Sequence, residues 1–173
     1  ANISLDGKGD AMFVHGRILD TDGKPVSGAS VDVWQANDEG FYDVQQKGIQ
    51  PDFNLRGKFR TGDDGRYWFC GAKPKYYPVP SDGPVGELLG RLGRHPYRPA
   101  HLHYILEANG FEKLTTNIFD PDEPYIRSDA VFGVKQSLMA TFKYRDDPEG
   151  ARELGITTPY YEVEHDFVLV RAT

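Results

Sequence analysis

A chain of 173 residues is the size of one compact domain and can bury roughly 70% of its unfolded surface, so residues 1–173 are expected to form a single domain with a real core. Hydrophobic residues make up 39% and charged residues 27%, with ten Tyr and ten Phe, a balance that excludes a disordered chain. The formal net charge of −6 excludes general affinity for nucleic acid or an anionic membrane, both of which reward clustered Lys and Arg.

The opening ANISLDGKGD has no Met and no signal-peptide character, and it reads as the start of a piece cut from something longer. After it, MFVHGRILD (12–20), ASVDVWQA (29–36) and RYWFCG (66–71) have the β-branched, aromatic, partly alternating character of half-buried strands. The turns DTDGKPVSG and TGDDGRY separate them, with Asp-Gly and Gly-Lys-Pro chemistry. The helical window is GPVGELLGRLG (83–93), where Val85, Leu88, Leu89 and Leu92 recur at helical spacing between glycines. Further strands are expected at AHLHYILEA (100–108), KLTTNIF (113–119), SLMATFKY (137–144) and HDFVLVRA (165–172). Many short strands with dense turn signals predict an all-β antiparallel sandwich with one short helix and long loops. No apolar run approaches the ~20 residues of a membrane-spanning helix. Cys70 stands alone, so it is read as a buried strand residue in a chain suited to a reducing, cytoplasmic setting.

The phrase VHGRILDTDGKPVSGASVDVW, a strand, a DG-K-P turn and a strand opening on G-A-x-V, resembles the first hairpin of transthyretin-like β-sandwiches. Many of those are binding or spacer modules, so this resemblance implies a fold and leaves a non-catalytic binding module open as a function.

The stretch RPAHLHYIL raises the chemical question. Strand alternation puts His101 and His103 on one face, about two rises of ~3.3 Å apart, which suits two ligands on one metal ion. The spacings expected of a zinc site, HExxH or CxxC, are missing, and nothing marks His15 or His165 as ligands. The residue two after His101 is another histidine, so no two-histidine, one-carboxylate triad begins here. Tyrosinate remains as a hard donor, because a trivalent cation can hold a phenol of pKa about 10 deprotonated at neutral pH. Tyr42, in ANDEGFYDVQ after the turn-permitting Gly40, and Tyr77, in the proline-rigid KPKYYPVPSDGPVG, are loop candidates. Tyr67, Tyr76, Tyr97 and Tyr104 make similar claims, and the residues alone do not choose among ten tyrosines.

The runs DVWQANDEGFYDVQ, DFNLRGKFRTGDDGRYWF, YPVPSDGPVGELLGRLGRHPYRPAHLHY and LTTNIFDPDEPYIRSDAVFGVKQSL together resemble the intradiol ring-cleavage dioxygenases along almost the whole chain. That resemblance implies one non-haem Fe(III) held by Tyr42, Tyr77, His101 and His103. Tyr77 rather than Tyr76 is implied because it stands six residues before Gly83 of the DGP motif. It also implies that a small aromatic diol and O2 are the partners, with ring opening between the two hydroxylated carbons to a cis,cis-muconate-type diacid, maleylacetate from hydroxyquinol. Tyr77 would be displaced by the diol and take up a proton, and Arg98 would stabilise negative charge near the ring. Pro80, Ala130 and Val131 match positions that line the ring pocket in the catechol and hydroxyquinol branch, and aliphatic Val131 leaves room for a third hydroxyl, favouring hydroxyquinol. Two features depart from the family. Asn117 stands where Gln is frequent, shorter by one methylene, and the N-terminal helical region of the family is missing, which would weaken its homodimer.

Overall fold

The computed structural model describes residues 1–173. Eleven strands and two short helices occur along the chain. One five-stranded sheet is organised about β1 (Ala11–Asp20), which pairs antiparallel with β4 (Arg66–Ala72) on one side. On its other side β1 pairs in parallel, first with β10 (Tyr160–Glu164) through Ala11–His15 and then with β11 (Phe167–Leu169) through Ile18–Asp20. The short β9 (Lys143–Arg145) closes that edge against β10. A four-stranded antiparallel sheet runs β3 (Arg56–Arg60), β2 (Ser30–Trp34), β7 (His101–Glu107), β8 (Leu114–Phe119). A third, two-stranded ribbon joins β5 (Tyr77–Pro78) to β6 (Tyr97–Arg98).

Alternation builds the core. Met12, Val14 and Ile18 of β1, Phe69 of β4 and Val163 of β10 meet Val31 and Val33 of β2, Leu102, Tyr104 and Leu106 of β7 and Ile118 of β8 in one buried cluster drawn from both large sheets. Each fully buried side chain of this size contributes about 1.5–3 kcal/mol. Because Leu102, Tyr104 and Leu106 face that core, His101, His103 and Ile105 project from the opposite face of the same sheet. Cys70 is buried in β4, as its strand context suggested.

The all-antiparallel arrangement expected from the sequence is corrected by the parallel pairing of β1 with β10 and β11, and two expectations about elements need correction as well. In SLMATFKY only the end is strand, since Gln136–Leu138 forms a 3-10 turn and β9 begins at Lys143. A second helix, α2 (Pro148–Leu154), escaped the hydrophobic-spacing test because it is short and buries only Ala151. Its signals were those of its ends: the Asp147 side chain accepts the Gly150 N–H, Pro148 opens the helix and Gly155 closes it at φ +67°. The first helix, α1 (Pro84–Arg91), forms where expected, yet of its apolar stripe only Leu89 is buried, while Val85, Leu88 and Leu92 are each more than half exposed. No helix is long and apolar enough to cross a membrane.

Candidate active site

Four polar atoms from three parts of the chain converge on the outer face of the four-stranded sheet. Tyr42 Oη lies 2.8 Å from Tyr77 Oη and 2.9 Å from His103 Nε2. Tyr77 Oη lies 3.4 Å from His101 Nε2, and the two imidazole Nε2 atoms are 3.0 Å apart. β7 supplies both histidines from alternate positions. The loop after β2 supplies Tyr42, and the β5–β6 ribbon supplies Tyr77 directly opposite Arg98. No group of three or more His, Cys, Asp or Glu residues elsewhere could hold a metal ion.

Local structure explains each placement. Trp34 is paired with His103 across β2 and β7, and the two rings stack at 4.8 Å with planes 1° apart, so the imidazole cannot swing away. Asn37 accepts the N–H groups of Glu39 and Phe41 through Oδ1, which tightens the turn leading to Tyr42. Within that turn Gly40 adopts φ +85°, and a Cβ there would stand 2.9 Å from Tyr77 Cβ. Gly40→Ala therefore combines a left-handed backbone cost of about 1–2 kcal/mol with a push against a cluster residue. The expected result is a melting temperature lower by about 2–4 °C per kcal/mol, with weaker metal binding, measured by thermal unfolding and metal content.

The histidines are electronically prepared to donate. His101 Nδ1 lies 2.7 Å from the Pro99 carbonyl oxygen, which can only accept, so Nδ1 carries the hydrogen and the Nε2 lone pair points into the cluster. Burial, then the Arg98 charge and His103, hold His101 well below the usual imidazole range. Burial and Arg98 likewise push His103 down to about 4, offset in part by Asn117 at the facing position on β8. Both rings are therefore neutral at pH 7. Burial, followed by the neighbouring Tyr77, raises the Tyr42 phenol above its ordinary value, so that phenol ionises only when a cation is there to stabilise the charge. Two neutral imidazoles and two phenols, with no carboxylate among them, form a donor set that fits a highly charged, oxygen-seeking cation.

Arg98 closes one side. Its Nη1 lies 3.0 Å from His101 Nε2, while Nε and Nη2 contact the two carboxylate oxygens of Asp129 at 3.2 and 3.5 Å. Beside it is a cavity of about 350 Å3 lined by Glu39, Phe41, Gln45, Pro80 and Val131 together with Tyr42, Tyr77 and Arg98. Pro80 and Val131, which the resemblance placed at the ring pocket, both line this cavity. Ala130 does not: it is buried, with its N–H donating to the Tyr97 carbonyl, and it does not reach the cavity wall. Asn117 acts on His103 and is not part of the lining either. A larger cavity of about 580 Å3 between β1, β4 and β10 holds His15, whose Nε2 faces Glu162 Oε1 at 3.2 Å, and none of the four converging residues.

The remaining tyrosines go elsewhere. Tyr67 and Tyr104 are core residues, Tyr67 donating to the His165 carbonyl. Tyr76 and Tyr97 pack with Tyr125 in a separate aromatic cluster. Tyr76→Phe is accordingly expected to leave metal content unchanged, whereas loss of metal in Tyr76→Phe with retention in Tyr77→Phe, read by elemental analysis, would reverse that assignment. Sequence reasoning missed Trp34 and Asp129. Trp34 was legible as a large aromatic at the end of a strand, but its pairing with His103 depends on sheet register, and nothing local in SDAVFG marks Asp129 as the partner of an arginine 31 residues earlier.

Fold and site together define a mostly-β protein whose pocket is flanked by a mixed phenol and imidazole cluster. The family model described as Dioxygenase matches residues 2–170, and the chain belongs to the intradiol ring-cleavage dioxygenase family, whose members use non-haem iron. It is 72% identical over 172 residues to a hydroxyquinol 1,2-dioxygenase of Rhizobium sp. (strain MTP-10005), covering 99% of this chain and 58% of that protein. It is 37% identical over 167 residues to a catechol 1,2-dioxygenase of Acinetobacter baylyi, covering 96% of this chain and 54% of that one. The crystal structure of hydroxyquinol 1,2-dioxygenase from Pseudomonas putida DLL-E4 superposes with a TM-score of 0.90 at 44% identity, over 99% of this chain and 60% of that chain. The chain thus spans a little over half the length of these relatives.

Proposed function

We propose that residues 1–173 form one catalytic domain, a transthyretin-like β-sandwich, of a non-haem Fe(III) dioxygenase that opens hydroxyquinol, and catechol less readily, between its two hydroxylated carbons. The observation that carries this reading is the convergence of Tyr42 Oη, Tyr77 Oη, His101 Nε2 and His103 Nε2 beside a pocket with a buried arginine. Tyr42, Tyr77, His101 and His103 would hold the metal. When bound, Fe(III) would supply Lewis acidity and a template for the diol and O2.

The chain's own groups do the rest. Tyr77 lines the pocket and, as the phenolate, would be the base best placed to accept a proton from a substrate hydroxyl. Arg98 offers a fixed positive charge through Nη1 toward the oxygens of the bound diol, where negative charge develops. Pro80 and Val131 press on the ring, and the short Val131 side chain leaves space for a third hydroxyl. Asn117 orients His103 from the facing strand. The lone, buried Cys70 suits a reducing setting.

The test is a turnover panel of hydroxyquinol, catechol, chlorocatechols and protocatechuate with identification of the products. Maleylacetate from hydroxyquinol and cis,cis-muconate from catechol are expected, from a protein coloured red by tyrosinate-to-iron charge transfer. A yellow semialdehyde product would indicate cleavage outside the diol. A colourless protein that takes up no iron on reconstitution would leave the non-catalytic binding module.

A further inference from the structure

Arg98 is a long side chain with several rotatable bonds, and freezing it in one direction costs rotamer entropy. Its direction is set by Asp129. The Asp129 side chain is only 2% exposed and meets the Nε and Nη2 side of the guanidinium with both of its oxygens, a side-on pair that leaves Nη1 as the free arm. That arm points at His101 Nε2 from 3.0 Å. If the His101 lone pair is engaged by a metal, Nη1 has lost its acceptor there and must turn to an anionic oxygen in the adjoining pocket.

The same carboxylate holds the pocket wall. Asp129 Oδ2 accepts the Gly133 N–H at 2.7 Å and Oδ1 accepts the Val131 N–H at 3.4 Å, closing the turn that presents Val131 to the cavity. The turn is tied down from outside as well. Arg94 donates to the Asp129 carbonyl at 2.8 Å and lies over the Phe132 ring at 3.7 Å, and the Ala130 N–H donates to Tyr97, the neighbour of Arg98 on β6. A Cβ at Gly133 would stand 3.1 Å from both Arg98 Nη2 and Asp129 Oδ2, tight enough to crowd the pair.

We propose that Asp129 is the positioning residue that locks the Arg98 arm and the Val131 wall into one unit, fixing where a ring substituent lies relative to the charge that steers the diol, and so setting the preference between hydroxyquinol and catechol. The inference rests on the dioxygenase reading of the site.

Asp129→Asn keeps the size and an acceptor for the turn but removes the charged pair with Arg98. Iron content and the tyrosinate band should match the wild type, because Asp129 touches none of the four converging residues. Turnover should fall by about 10–100-fold, the range for partners that orient a functional group, and the ratio of kcat/KM for hydroxyquinol over catechol should move toward one. Hydroxyquinol added without O2 should shift the tyrosinate band at higher concentrations in the variant than in the wild type, a readout independent of turnover. In an Arg98→Ala background, where no arm remains to be held, Asp129→Asn should change turnover by less than about 2-fold. Gly133→Ala, which crowds the same contact, should act in the same direction if Asp129→Asn folds poorly. Wild-type turnover and preference in Asp129→Asn, or a loss of equal size in the Arg98→Ala background, would overturn the positioning role. A wild-type protein without iron or colour would instead overturn the dioxygenase reading, and this inference with it.

Discussion

Tyr42→Phe is expected to cost the protein its iron and its activity together. The substitution removes one oxygen and leaves the ring in place, so packing is nearly conserved. Tyr42 Oη is the hub of the cluster, within 2.9 Å of both Tyr77 Oη and His103 Nε2, and no group of three or more His, Cys, Asp or Glu residues offers a metal another site. Removing a group that merely orients a ligand lowers metal affinity by about 10–100-fold, and removing a ligand should exceed that range. The apo protein should lose a little stability, because Tyr77 Oη and His103 Nε2 each lose a hydrogen-bond partner. Burial and Tyr77 hold the Tyr42 phenol in its neutral form. A Tyr42→Phe protein that retains stoichiometric iron and the red charge-transfer band would remove Tyr42 from the ligand set.

Arg98→Ala is expected to separate binding of the metal from chemistry. Arg98 is 8% exposed and reaches the pocket with one arm while Asp129 holds the other side. Loss of a preorganised positive donor at the point where charge develops costs about 10²–10³ in kcat. Iron content and colour should survive, because the arginine only abuts His101. Stability should drop as well, since the Asp129 carboxylate would be left buried without its partner, a situation worth about 3–5 kcal/mol when a buried pair is broken. Arg98→Lys separates the two effects: it restores a charge for Asp129, and so most of the melting temperature, but lacks the planar fork and should remain slow. If Arg98→Ala loses iron as readily as Tyr42→Phe does, the arginine is part of the scaffold of the cluster.

The parts of this fold that were legible in the sequence are those governed by local periodicity. The strands through Val14, Val31, Phe69 and Leu102 alternate apolar and polar side chains because each covers a core on one face, and the turns between them carry Asp-Gly chemistry. β10 was missed because YYEVE mixes aromatic and acidic residues, and its parallel pairing with β1 lies across most of the chain length. The apolar spacing of α1 located the helix, but a periodic pattern carries no information about whether anything packs against it, and Val85, Leu88 and Leu92 stand exposed.

What the sequence by itself determined was the chemistry available: two histidines on one strand face, two loop tyrosines flanked by Gly40 and by prolines, and an arginine three residues before the first histidine. Alternation guarantees the first of these, since i and i+2 in a strand cannot avoid sharing a face. Only the tertiary structure decided that Tyr42 and Tyr77 meet those histidines while Tyr76, Tyr97 and Tyr104 do not, because that depends on the pairing of β5 with β6 and of β2 with β7. It likewise decided that Ala130 is packed away from the pocket and that Asp129 grips Arg98. These are contacts between residues 31 or more positions apart or across sheet registers, and no local preference of the chain encodes them.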